Sequence, residues 1–75
     1  MNYIVLYTPV NGKPESFGPF NSIEKARKWM KADSEEIGTI SAESCGEELE
    51  SYCNDNDCSI DGVGVWEIIE LYKVL

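Results

Sequence analysis

The spacing of apolar residues changes along the chain, and each change predicts a different element. Residues 3–8 (YIVLYT) are β-branched and aromatic, which suits a pleated strand. Pro9 stops that run, and PVNGKP supplies turn residues, with Asn11 and Gly12 suited to positive φ. Residues 16–20 (SFGPF) read as a short partner strand, which Pro19 restricts to a sheet edge or a strand end. The first two elements therefore predict a β-hairpin.

The period then lengthens. Ile23, Ala26, Trp29 and Met30 fall on one helical stripe, with Lys25, Arg27, Lys28 and Lys31 on the other side. Asn21 and Glu24 have the spacing of a capping box, so a helix is expected over 22–32, ending near Asp33. Residues 37–41 (IGTIS) read as a loop or a short further strand. Ser44 and Glu47 repeat the capping spacing, and Cys45, Leu49, Tyr52 and Cys53 form a second stripe. They predict a short helix over 44–53, weakened by about 1 kcal/mol at Gly46. A polar loop, CNDNDCSIDG, follows. Residues 63–74 are rich in β-branched side chains and apolar on both faces, which predicts a long central strand with helices over part of each side. The expected fold class is α+β, a small antiparallel sheet packed against two helices.

Composition narrows the class. A chain of 75 residues that is 43% apolar makes one small domain and is not composed like a disordered segment. The opening MNYIVLYTPV has no basic stretch, long apolar region or small-residue cleavage site, and no run approaches the length of a membrane span. A soluble, cytoplasmic protein is expected. Three cysteines cannot all pair within one chain, so reduced thiols are the simplest reading.

Charge changes the picture more. The net charge is −8, but residues 1–31 hold five basic and two acidic side chains, while residues 32–75 hold twelve acidic ones and Lys73 alone. From Ala32 to Tyr72 there is no Lys or Arg. Soluble surfaces normally intersperse the two signs, because unmixed charge repels itself. Free nucleic acid and anionic membranes are repelled by such a surface, and a basic protein surface is attracted. The basic helix face around Trp29 reads as a solvated face that pairs with the acidic half of the same molecule.

The CNDNDCSIDG stretch has the composition of a metal loop. Asp57, Ser59, Asp61 and Gly62 match the first half of a calcium loop, yet Ile68 stands where its bidentate Glu is required. The spacing of Cys45, Cys53 and Cys58 lacks the close ligand pairs of structural zinc, and the chain has no His. Cys45 and Cys53, about 12 Å apart if on one helix, read as small apolar core residues. Cys53 and Cys58 are able to join in an oxidised preparation. No cofactor is expected. Without His or a glycine-rich phosphate loop, no catalytic constellation is evident and a non-enzymatic protein is expected.

The succession YIVLYT, GPFNSIEKARKW and VWEIIELYKVL resembles small phage-encoded proteins of the hairpin–helix–strand type. In these a Gly-Pro-Phe precedes the helix cap, and the last strand carries a Trp-x-Ile-x-Glu-like run. The resemblance covers about half of the chain, is architectural, and leaves out residues 33–62. In size and charge the chain is also similar to small acidic phage inhibitors of uracil-DNA glycosylase, restriction enzymes, CRISPR effectors and bacterial RNA polymerase. That likeness implies an anti-defence or host-takeover protein of the DNA-mimic kind, in the host cytoplasm, occupying a basic surface of a nucleic-acid-handling host protein. Duplex DNA presents a charge about every 1.7 Å, and an array of carboxylates can imitate part of that field. The expected contact residues are Glu43, Glu47, Glu48, Glu50, Asp55, Asp57 and Asp61, with Tyr52 as an aromatic anchor. The competing readings are a small calcium-responsive domain using Asp57, Ser59 and Asp61, and a structural or assembly protein. An exposed sheet edge would also allow a homodimer.

Overall fold

The computed structural model describes residues 1–71. Six elements follow in the order β1 (Asn2–Pro9), β2 (Glu15–Phe20), α1 (Ile23–Cys45), β3 (Ser51–Cys53), β4 (Asp57–Ile60) and β5 (Gly64–Leu71). The strands form one five-stranded sheet in the order β2-β1-β5-β4-β3, with every neighbouring pair antiparallel. The fold class is α+β, as the sequence predicts.

The first hairpin forms as expected, with Val5 opposite Phe17 and Tyr7 opposite Glu15, and an irregularity between Tyr3 and Val5. β5 is the central strand, paired with β1 from Asn2↔Leu71 to Pro9↔Gly64 and with β4 on its other side. Its burial alternates, however. Gly64 and Trp66 are buried, while Val65, Glu67, Ile69 and Leu71 are exposed. One helix covers one face of the sheet, so the expectation of helices on both sides is corrected. Residues 72–74 of the expected strand lie outside the described residues.

The helix is where expectation and structure part most. A single α1 of 23 residues replaces the helix expected over 22–32, the loop or strand over 37–41 and the start of the helix over 44–53. The reason lies in its buried stripe. Ala26 and Met30 begin it, but Ser34 continues it, followed by partly covered Gly38 and Ala42. Small side chains let the helix lie close to β4 without giving the apolar periodicity by which helices are read. Ser34 keeps its buried hydroxyl satisfied by donating to the Lys31 carbonyl at 3.0 Å.

Both caps explain the limits of α1. Ser22, not Asn21, is the N-cap, and its Oγ accepts from the Lys25 N–H at 3.2 Å. At the other end Gly46 adopts the left-handed conformation (φ 73°), and its N–H donates to the Ala42 carbonyl at 2.9 Å. The helix therefore stops where a second one was expected to begin. Residues 47–50 are irregular, and the rest of the 44–53 segment is β3.

Val5, Ala26, Met30, Cys58, Ile60 and Trp66 form the buried core, with Tyr3, Tyr7, Phe20, Trp29, Ile37, Leu49, Val63 and Ile68 packed around them. Trp66 is its centre. Its ring stacks on Tyr7 at 4.4 Å between centroids, and its Nε1 donates to Asp33 Oδ2 at 2.9 Å. Trp29 fills the space under the first hairpin against Phe17 and Phe20, with centroids at 4.6 and 5.9 Å.

Candidate functional site

The CNDNDC stretch is the end of a hairpin. β3 pairs with β4 through Ser51↔Ile60, Tyr52↔Ser59 and Cys53↔Cys58. The Asn54 N–H donates to the Asp57 carbonyl at 2.7 Å, and the Asp61 N–H to the Glu50 carbonyl at 2.9 Å. In an antiparallel ladder hydrogen-bonded and non-hydrogen-bonded pairs alternate, which makes Cys53 and Cys58 a non-hydrogen-bonded pair with closely approaching side chains. Their Cα atoms are 4.1 Å apart and a disulfide joins them.

The tip is held from two further directions. Arg27 Nε and Nη2 donate to Asn56 Oδ1 at 3.0 and 2.9 Å, and the Ile68 N–H donates to the Asn56 carbonyl at 2.9 Å. Tyr52 Oη donates to Asn54 Oδ1 at 2.8 Å. Of the basic helix face, Arg27 thus reaches the acidic half through a neutral partner, and Lys25, Lys28 and Lys31 remain in solvent.

This geometry corrects the reading of the cysteines. Cys45 is exposed at the end of α1, Cys53 is exposed on the edge strand, and Cys58 alone is buried. Cys45 and Cys53 belong to different elements and are not core residues. Asp57 and Ser59, offered as oxygen ligands, are alternate residues of a strand, and Asp61 lies in the turn beyond it. A strand separates alternate residues by about 6.6 Å, whereas a calcium loop curls its oxygens around one centre. Among the described residues no group of three or more His, Cys, Asp or Glu side chains stands close enough to hold a metal ion.

The expected contact residues do not lie on one helix face. Glu43 is in the last turn of α1, Glu47 and Glu48 follow its cap, and Asp55 is at the hairpin tip, all exposed. Glu50, Tyr52 and Asp61 come together, lining a shallow depression of about 720 Å³ with Val10, Gly62 and Val65. On the other side of β3, Glu35 and Glu48 line a groove of about 540 Å³ with Gly38, Ala42 and Leu49. Asp57 stands apart, directly across the strands from Glu67. Asp33 accepts a side-chain hydrogen bond from Trp66, whereas among the described residues the carboxylates of the expected contact set accept none.

Two of these placements work against the fold. The solvent side of α1 is basic at its N-terminal half and acidic at its C-terminal half, with no basic residue in the last turn. That order opposes the helix macrodipole, which favours cations at the C-terminus. Asp57 and Glu67 are like charges directly opposite each other, an arrangement that destabilises a sheet. The acid also acts inside the molecule. Burial, then Asp33 and then Glu15 push the Tyr7 phenol above its ordinary value.

Glu67 was missed by the sequence reading, as were Arg27 and Asn56 as the anchor of the hairpin. The alternation in VWEIIEL carried the signal for Glu67, since it puts Glu67 on the face opposite Trp66. Comparison of the chain with protein-family models, curated proteins and solved structures finds no match. Among the described residues no helix is long and apolar enough to cross a membrane.

Proposed function

We propose that the protein is a non-enzymatic binding protein that engages a basic surface of a nucleic-acid-handling host protein and inhibits or modulates it, as an anti-defence or host-takeover factor of a phage. The observation that carries this reading is the placement of acid where folding gains nothing from it. Glu43 sits at the negative end of the helix macrodipole. Glu50 and Asp61 flank the exposed Tyr52 around an open depression. An aromatic side chain beside two carboxylates suits a partner that offers Lys or Arg, both for steering and for anchoring.

The function follows from displacement. A basic partner that binds this surface gives up its own phosphate contacts, since both compete for the same cations. The test is capture from a bacterial lysate with the tagged chain, followed by competition between the chain and duplex DNA for the captured protein. The wild type should displace DNA, and Glu47→Lys/Glu48→Lys/Glu50→Lys should abolish capture. Unchanged capture by the triple variant, or captured proteins with no nucleic-acid function, would sink the proposal.

A further inference from the structure

The face of the sheet turned away from α1 has rows that follow from the strand register. Val65 alternates with the buried Trp66, so it points away from the helix, and its direct partners Ser59 and Thr8 share that side. Tyr52 extends the row through Ser59. The next row is Asp57, Glu67, Leu6 and Ser16, and beyond it Ile69 stands opposite Ile4, and Leu71 opposite Asn2. The exposures on this single face are 60% for Tyr52, 39% for Val65, 36% for Ile69 and 41% for Leu71. Single exposed apolar residues are ordinary; these four, on β3 and β5, together with the half-buried Leu6 and Ile4 of β1 beside them, mark a surface that lacks a covering layer.

Charge decides what covers it. Among the described residues, the charged side chains of these rows are Asp57 and Glu67. They face each other at a non-hydrogen-bonded position, because the Asn56–Ile68 pair beside them carries the ladder bond. Side chains stand closest at such positions, and among the described residues neither carboxylate accepts a side-chain hydrogen bond. Exposed apolar side chains stand on both sides of this pair along β5, Val65 on one and Ile69 on the other. A second copy laid face to face would bring acid against acid, and each chain carries a net charge of −8. A cation set between apolar side chains would relieve the pair and cover its neighbours at once.

We infer that the open face of the sheet is the docking surface for a cationic amphipathic helix of the partner protein, with a Lys or Arg seated over Asp57 and Glu67. The inference rests on the proposed function for the partner being a basic protein, and it names the surface and the form of that partner. A helix is the natural cover, since α1 already packs in this way on the opposite face. β5 has eight residues, or about 26 Å of strand, and a helix of about 18 residues spans that length. The depression lined by Glu50, Tyr52 and Asp61 lies at one end of the same face and would receive the partner's flanking basic residues.

The probe is a helical peptide of about 18 residues with Leu on one side and Lys on the other, compared with the same peptide carrying Glu for Lys. Amide shifts of the 15N-labelled protein and anisotropy of the labelled peptide are read in parallel. The Leu/Lys peptide should shift residues 4–6, 57–59 and 65–71, and the Leu/Glu peptide should not bind. Val65→Ser/Ile69→Ser should weaken the Leu/Lys peptide by about tenfold or more. Asp57→Asn/Glu67→Gln should weaken it severalfold and flatten its salt dependence. Val65, Glu67 and Ile69 are exposed and Asp57 is half-buried, and an unchanged near-ultraviolet dichroism of Trp66 confirms that each variant folds. Glu24→Gln/Glu36→Gln, at exposed positions of α1 on the other side of the sheet, should leave the peptide on the face. Shifts confined to residues 43–50, insensitivity to Val65→Ser/Ile69→Ser, or a dimer in sedimentation that Ile69→Ser dissociates would each overturn the inference. If the peptide seats on this face while the lysate yields no nucleic-acid-handling protein, the docking surface stands and the proposed function falls.

Discussion

The indole N–H of Trp66 donates to the Asp33 carboxylate at 2.9 Å, tying the first half of β5 to the middle of α1. Asp33 belongs by sequence to the acidic half, yet it serves the core. Trp66 is fully buried, so removing the acceptor strands a polar group away from water. Asp33→Ala should cost about 1–3 kcal/mol in urea unfolding. Asp33→Asn keeps a carbonyl oxygen in place and should recover much of that loss. Equal stability of the Ala variant and the wild type would refute the role.

Tyr7 stacks on that same indole, and its phenol is raised above the ordinary value by burial first and then by Asp33 and Glu15. A raised folded-state value means that the folded protein holds the phenolic proton more tightly than the unfolded chain does. The corresponding stability is fully present below about pH 10 and is lost as pH rises through the folded-state value. Alkaline unfolding should therefore be shallower in Tyr7→Phe. Parallel curves for the two proteins above that pH would contradict the assignment.

Gly64 is fixed by proximity. A Cβ added there would lie 2.6 Å from Tyr7 Cε1 and 2.7 Å from the Thr8 carbonyl oxygen. The second atom is backbone of the paired strand and cannot rotate away, so β1 and β5 would have to separate. Gly64→Ala should destabilise by about 1–3 kcal/mol, as overpacked cores do, measured as a drop in the urea midpoint. Retention of the wild-type midpoint would show that the strand pair gives way freely.

The Cys53–Cys58 disulfide closes a loop with a sequence separation of 5. Restricting so short a loop in the unfolded chain stabilises by about 2 kcal/mol in the loop-entropy account. Treatment with dithiothreitol should lower the unfolding free energy by about that much. Amides of β3 should lose exchange protection before those of β1 and β5. Identical oxidised and reduced stabilities would show that Arg27 and the Ile68 N–H hold the hairpin by themselves.

Glu43 stands in the last turn of α1, where its charge opposes the macrodipole. Glu43→Lys should raise stability by about 0.3–1 kcal/mol at low salt, and less at high salt. Under the proposed function the same change should weaken capture of a basic partner. A variant that gains stability and keeps full capture would remove Glu43 from the contact set.

The sequence made the strands of the first hairpin and β5 legible because their β-branched and aromatic residues have few other uses. It also showed the first half of α1, through Ile23, Ala26, Trp29 and Met30. The second half was hidden because Ser34, Gly38 and Ala42 pack by smallness, which a search for apolar periodicity does not register. β3 and β4 were hidden for another reason. Ser51 to Cys53 is too short to show alternation, and the polar turn between Cys53 and Cys58 reads as an unstructured loop. The amount of acid was plain from composition. Its arrangement was not, because Asp57 meets Glu67 only once the β4–β5 register is set, and Asp33 turns inward only once Trp66 is in place.

The pairing of β1 with β5 also bears on how the chain folds. The first hairpin, the helix and the β3–β4 hairpin can each begin from neighbouring residues, but the middle of the sheet joins Asn2 to Leu71. That contact closes nearly the whole chain into a loop before its reward is gained. Folding should accordingly run on the millisecond-to-second scale of non-local topologies rather than at the speed of a helical domain of this size. A ribosome-bound chain that has not yet released β5 has edges but no centre, and in that interval Val5 and Met30 have no Trp66 to pack against.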